Sequence, residues 1–191
     1  MKIPILAYHK VDTAFEWGIN TVSPRAFENQ IRYLYNSGFQ SVKIEDIVFN
    51  KVRVEKPIAI TFDDAYRSVH EFAFPIIEKY NFFATIFVIS DYIGKQNSWD
   101  VNIGGKTCMH LNLQQLRELL SAGWEIGSHT ATHPDLVGLS EAELRSELRI
   151  SKITLEDQFS VPVHIISYPY NRFNMSVIDH AINAGYQGGC C

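Results

Sequence analysis

Two short stretches carry side chains of the types that hydrolytic chemistry uses. Residues 58–64, Ile-Ala-Ile-Thr-Phe-Asp-Asp, end an apolar run on the neighbouring carboxylates Asp63 and Asp64. Adjacent carboxylates repel unless a cation separates their roles, one ligating the ion while the other titrates as a base. A turn or a helix cap is the ordinary alternative use of Asp after a strand. Residues 128–133, Ser-His-Thr-Ala-Thr-His, place His129 and His133 four residues apart, so that one helical turn or a tight loop can aim both imidazoles at one ion. Such a pair alone is a weak signal, but beside a strand-end Asp pair it becomes specific. Two His and one Asp leave coordination positions open. An ion so held lowers the pKa of bound water and polarises a carbonyl oxygen, the two demands of amide hydrolysis.

These residues need elements to position them. Apolar, β-rich runs at residues 3–8, 57–62, 83–89, 124–128 and 163–168, with a weaker one at 40–44, alternate with amphipathic runs. That alternation is the mark of parallel strands joined by crossover helices, hence an α/β fold. Helix ends are written in the caps. Ser23 precedes Pro24, and Gly38 follows a run with Phe27, Ile31 and Leu34 on one face. Asn112 opens and Gly123 closes a second helix, Ser140 with Glu143 forms a capping box for a third, and residues 174–184 before Gly185 make the last. Periodicity leaves a barrel and an open doubly wound sheet both allowed. In either case Tyr8-His9, Asp63-Asp64, His129 and Pro169-Tyr170 each follow a strand and gather at the carboxyl edge of the sheet. Residues 90–111 form one long irregular stretch, of a length that is usually functional. Within it, Trp99 and Asp100 could stack on and hydrogen-bond a sugar ring. His70, His110, His164 and His180 have no partner at ligand spacing and receive no role.

A chain of 191 residues fits one domain. Seventeen Lys plus Arg against twenty-one Asp plus Glu, with no basic run, argue against a nucleic-acid partner. Three cysteines, Cys108, Cys190 and Cys191, show no disulfide or metal spacing, and a reducing compartment is expected. The first residues carry no cleavage site and the sequence no apolar run of membrane length, so the expectation is a cytoplasmic protein without a membrane span, although a chain that had lost a signal peptide would read the same way.

Residues 61–64 (Thr-Phe-Asp-Asp), 128–133 (Ser-His-Thr-Ala-Thr-His) and 167–170 (Ser-Tyr-Pro-Tyr) resemble, in their usual order, the first three motifs of the polysaccharide deacetylases. This is the NodB homology group, carbohydrate esterase family 4. The resemblance implies a distorted, incomplete (β/α) barrel of seven strands and a hydrolase that removes N-acetyl groups from amino sugars of a glycan or its precursor. It implies a divalent metal, most often zinc, held by Asp64, His129 and His133. Asp63 would be the general base, and the backbone N–H of Tyr170 would face the oxyanion. The family's third motif usually opens with an Arg that buttresses the base, where this sequence has Ser167. The late motifs, an Asp-Trp signature and a Leu-x-His, are missing because the chain stops at Cys191; the expectation is a single domain, 1–191, whose end is either natural or a C-terminal truncation. Residues 8–11, Tyr-His-Lys-Val, resemble the opening of the subgroup related to poly-N-acetylglucosamine deacetylases, in which an early His, here His9, takes the acid role. The rival expectation is a carbohydrate-binding homologue that keeps the metal without the activity.

Overall fold

The computed structural model describes residues 2–13, 20–98 and 108–191. Strand β1 (Ile5–Tyr8) is followed by a small ribbon of β2 (Lys10–Val11) and β3 (Thr21–Val22). Then come α1 (Pro24–Asn36), β4 (Gln40–Ser41), α2 (Ile44–Val48) and β5 (Pro57–Phe62). A π-turn over Val69–Ala73 runs into α3 (Phe74–Lys79), and β6 (Thr85–Val88), α4 (Leu113–Ser121) and β7 (Glu125–Ser128) succeed it. Helix α5 (Glu141–Phe159), β8 (Ile165–Ser167), α6 (Met175–Asn183) and β9 (Gly188–Cys190) follow. Seven strands make one parallel sheet in the order β1-β5-β6-β7-β8-β9, with β4 paired to the start of β5. The sheet and its helices form an open, incomplete (β/α) barrel, so the barrel alternative holds.

Strand alternation divides the interior in two. Ile58, Ile60 and Phe62 of β5, Ile86 and Val88 of β6, and Ile126 of β7 face the helices and pack with Phe27, Ile31, Leu116, Leu119 and Leu148. Each fully buried side chain of this kind contributes about 1.5–3 kcal/mol, so packing of the helix faces rather than propensity holds the outer layer. The intervening residues Ala59, Phe87 and Ile165 point to the inner face, where Val42 and Ile44 join them. Space there is tight: a Cβ on Gly127 would lie 2.5 Å from the Phe87 ring.

The expected caps are present. Ser23 Oγ accepts from Ala26 N at 3.3 Å, and Asn112 and Ser140 each close a capping box. Three elements escape the local pattern. The weak strand expected at 40–44 ends at Ser41, and Ile44 instead begins α2, because the Glu125 carboxylate on β7 accepts the Ile44 and Glu45 amides at 2.9 and 3.0 Å. A cap from eighty residues away leaves no local trace. Helix α3 carries Pro75 in its first turn behind a π-turn, which blurs its period. Strand β9 begins Gly-Gly, unlike a strand, yet a Cβ on Gly189 would come within 2.7 Å of the Tyr168 ring.

Candidate active site

All strands of the main sheet run parallel, so residues following β1, β5, β7 and β8 meet at one edge. There the carboxylate of Asp64 and the rings of His129 and His133 converge, all buried, with one ligand atom from each within 4.8 Å of the others. Asp64 Oδ1 lies 3.5 Å from His129 Nε2 and 3.4 Å from His133 Nε2, and the two Nε2 atoms are 3.2 Å apart.

Three features show that these groups fit a divalent cation. First, Asp64 Oδ1 is buried without a hydrogen-bond partner among the described residues, which is costly for a carboxylate unless a cation faces it. Burial pushes the Asp64 carboxyl above the usual range, with the neighbouring His129 acting in the opposite sense. Second, His129 Nδ1 donates to the Ser167 carbonyl at 2.8 Å; a carbonyl only accepts, so in the neutral ring the Nε2 lone pair faces Asp64 and His133. Third, burial, followed by the nearby His129, holds His133 down at about 3, so its imidazole is neutral and available as a ligand. Oxygen and nitrogen donors of this type suit zinc or a similar transition ion.

The backbone around the group is unusual. Asp64, Ala65, Thr130, His133, Tyr170 and Asn171 all take positive φ, between 52° and 67°, without being glycine. Such residues persist only where the surroundings over-determine them, and they cluster at functional sites. The His129–His133 loop is held from several sides. Glu147 of α5 accepts Ala131 N, Thr132 N and Thr132 Oγ1 at 3.0, 2.9 and 2.7 Å. Thr130 Oγ1 accepts His133 N at 3.0 Å, and Ser128 Oγ accepts Thr130 N at 3.2 Å.

Asp63 stands beside this group, its N–H donating to Tyr8 O at 2.9 Å. Ser167 Oγ donates to Asp63 Oδ2 at 3.4 Å, so the residue found where the family usually has Arg reaches the same carboxylate directly. Cys190, beside Ser167 across β8 and β9, sits on the same inner face; burial and then the Asp63 charge push its thiol up to about 12. His9 follows β1, half-buried, and its charge acts on both Asp64 and His133, while the metal-capable group does not include it. Tyr170 is 56% exposed at the rim, its ring edge-on to His133 with centroids 4.6 Å apart. Trp99 and Asp100 lie outside the described residues.

Two residues that spacing passes over belong to the site. Glu147 anchors the His loop, and its only local signal is an acid within a helix rich in acids. His110, given no role by sequence, donates from Nδ1 to the Asp64 carbonyl at 2.7 Å. Its place depends on an antiparallel bridge between Tyr66 and His110 that no periodicity announces.

The polysaccharide deacetylase family model matches residues 50–189. The protein YxkH of Bacillus subtilis (strain 168) is 32% identical over 192 residues, covering 98% of this chain and 63% of that protein. A poly-beta-1,6-N-acetyl-D-glucosamine N-deacetylase of Staphylococcus aureus (strain NCTC 8325 / PS 47) is 27% identical over 181 residues, covering 88% of this chain and 60% of that protein. The chain thus spans about three-fifths of the length of these curated relatives. The solved structure of Streptococcus pyogenes deacetylase PplD in complex with acetate has a TM-score of 0.86 at 28% identity, covering 98% of this chain and 82% of that one. The family match takes in both the carboxylate pair and the two imidazoles, and this chain belongs to the polysaccharide deacetylase family.

Proposed function

We propose that the protein is a metal-dependent carbohydrate N-deacetylase, hydrolysing the acetamide of an N-acetyl amino sugar. The observation that carries this reading is the buried Asp64, His129 and His133 group with a second carboxylate, Asp63, on its border. Asp64, His129 and His133 would hold the divalent ion, zinc or a close relative. When bound, that ion supplies Lewis acidity, lowering the pKa of water and polarising the acyl oxygen. Asp63 takes the proton from the attacking water, steadied by the Ser167 hydroxyl. The Tyr170 N–H, on a strained turn at the rim, faces the oxygen that gains charge. His9, close enough for its charge to act on both Asp64 and His133, gives a proton to the departing amine.

The relative named for poly-beta-1,6-N-acetyl-D-glucosamine supports a β-linked N-acetylglucosamine polymer as the substrate class, and acetate bound to the streptococcal relative supports acetyl as the group removed. The test combines metal analysis with acetate release from poly-β-1,6-N-acetylglucosamine oligomers. The expectation is about one metal equivalent. Asp63→Asn should retain the metal and lose about two to four orders of magnitude in turnover, the range of a positioned base. Metal uptake without acetate release from any N-acetylated oligomer would favour the binding homologue instead. Unchanged turnover in Asp63→Asn would remove the base assignment.

A further inference from the structure

The Asp64 carboxylate owes its aim to its main chain. Asp64 and the next residue, Ala65, both lie in the left-handed region, at φ 64° and 52°. Side-chain-bearing residues hold that conformation only when their surroundings enforce it. The enforcing segment is residues 109–111. Arg67 N donates to Met109 O and Leu111 N to Ala65 O, each at 2.8 Å, which clamps the chain just after Asp64. The Asp64 carbonyl itself is taken by a side chain: His110 Nδ1 lies 2.7 Å from it. A carbonyl only accepts, so the nitrogen carries the proton. The His110 ring is 3% exposed and stacked on Tyr66, with centroids 5.0 Å apart and planes 20° from parallel. Its orientation is thus fixed by packing on one side and by the Asp64 carbonyl on the other.

We propose that His110 is a positioning residue: its Nδ1–H on the Asp64 carbonyl locks the turn that aims the Asp64 carboxylate at a divalent cation, and so sets the affinity of the site for that ion. The proposal rests on Asp64 being a metal ligand. It assigns His110 no contact with substrate or metal. An outer partner of a ligand typically changes metal affinity by about 10- to 100-fold when removed.

The test separates the donor from the ring. His110→Phe keeps an aromatic face for Tyr66 and removes the N–H, whereas the side-chain amide of His110→Asn can place an N–H where Nδ1 stood. Zinc affinity is measured by competition with a chromophoric chelator, at a temperature where melting of the metal-free variants shows them folded. The Phe variant should bind zinc about 10- to 100-fold more weakly, and the Asn variant should recover most of the loss. Wild-type affinity in the Phe variant overturns the proposal. Equal weakening in both variants overturns it too, because ring packing would then be the whole effect. If the Phe variant does not fold, His110→Ala replaces it and the same comparison with Asn decides. Asp64→Ala, run alongside, should abolish zinc binding; retained binding there refutes the ligand assignment itself and the proposal with it.

Discussion

Glu147 is the side chain on which the His129–His133 loop hangs, and removing it has a calculable cost. One half-buried carboxylate accepts three hydrogen bonds, from the Ala131 and Thr132 amides and the Thr132 hydroxyl. A hydrogen bond to a charged group contributes about 1.5–3 kcal/mol net when buried. Full weight applies only to the Ala131 amide, which belongs to a residue 3% exposed. Thr132 is exposed, so its two bonds are screened and count for about 0.5 kcal/mol each. Glu147→Ala should therefore destabilise the metal-free protein by about 2.5–4 kcal/mol, a drop in Tm of roughly 5–15 °C for a chain of this length. Loosening the loop also loosens His133, whose own amide donates to the Thr130 hydroxyl in that loop, so zinc affinity should fall about 10- to 100-fold. Glu147→Gln keeps an oxygen for both amides and turns an NH2 toward the Thr132 hydroxyl, and most of the loss should be recovered. Calorimetry with and without chelator, joined to a zinc competition titration, reads both effects. A Glu147→Ala protein that melts within about 2 °C of wild type and binds zinc equally well would refute this account. In that case the Ser90 and Asp91 amides on the Thr130 and Ala131 carbonyls would suffice to hold the loop.

Three further outcomes follow from the same geometry. Ser167→Ala removes the hydroxyl on Asp63 but leaves the main-chain carbonyl on His129, so turnover should fall roughly 3- to 10-fold with metal content unchanged; unaltered turnover would show that Asp63 needs no such support. The Cys190 thiol, held near 12, is about one part in 10⁴ thiolate at pH 8. Alkylation mapped by mass spectrometry should therefore leave Cys190 unmodified in the native protein while exposed Cys191 reacts, with the Cys190 rate rising about tenfold per pH unit toward 12; rapid labelling of Cys190 at pH 8 contradicts its burial. Gly127→Ala forces a methyl against the Phe87 ring and should cost about 1–3 kcal/mol in urea melts, relieved by a second change, Phe87→Leu.

The parts of the site that were legible in the sequence share one property: each is a side chain acting through its own atoms at the end of its own strand. Asp63 and Asp64 follow an uninterrupted apolar run, and β5 is buried at all six positions, so the carboxylates had to emerge at the sheet edge. His129 and His133 are four residues apart, and the loop between them does turn both Nε2 atoms to one point. The α/β class and four of the helices were legible for a similar reason, since caps such as Ser23, Asn112 and Ser140 satisfy amides three residues away. The illegible parts act at a distance. Glu125 caps α2 across the inner face, Glu147 grips a loop fifteen residues upstream, and His110 reaches back forty-six residues to a carbonyl. None of these contacts leaves a period or a spacing, because the partners, the Thr132 hydroxyl under Glu147 aside, are backbone atoms of unspecified residue type. The candidate metal site is therefore written twice in this chain. Local motifs name the three candidate ligands, while Glu147, His110 and the Ser167 carbonyl, which hydrogen-bond those residues or their loop, become visible only once the sheet has brought them alongside.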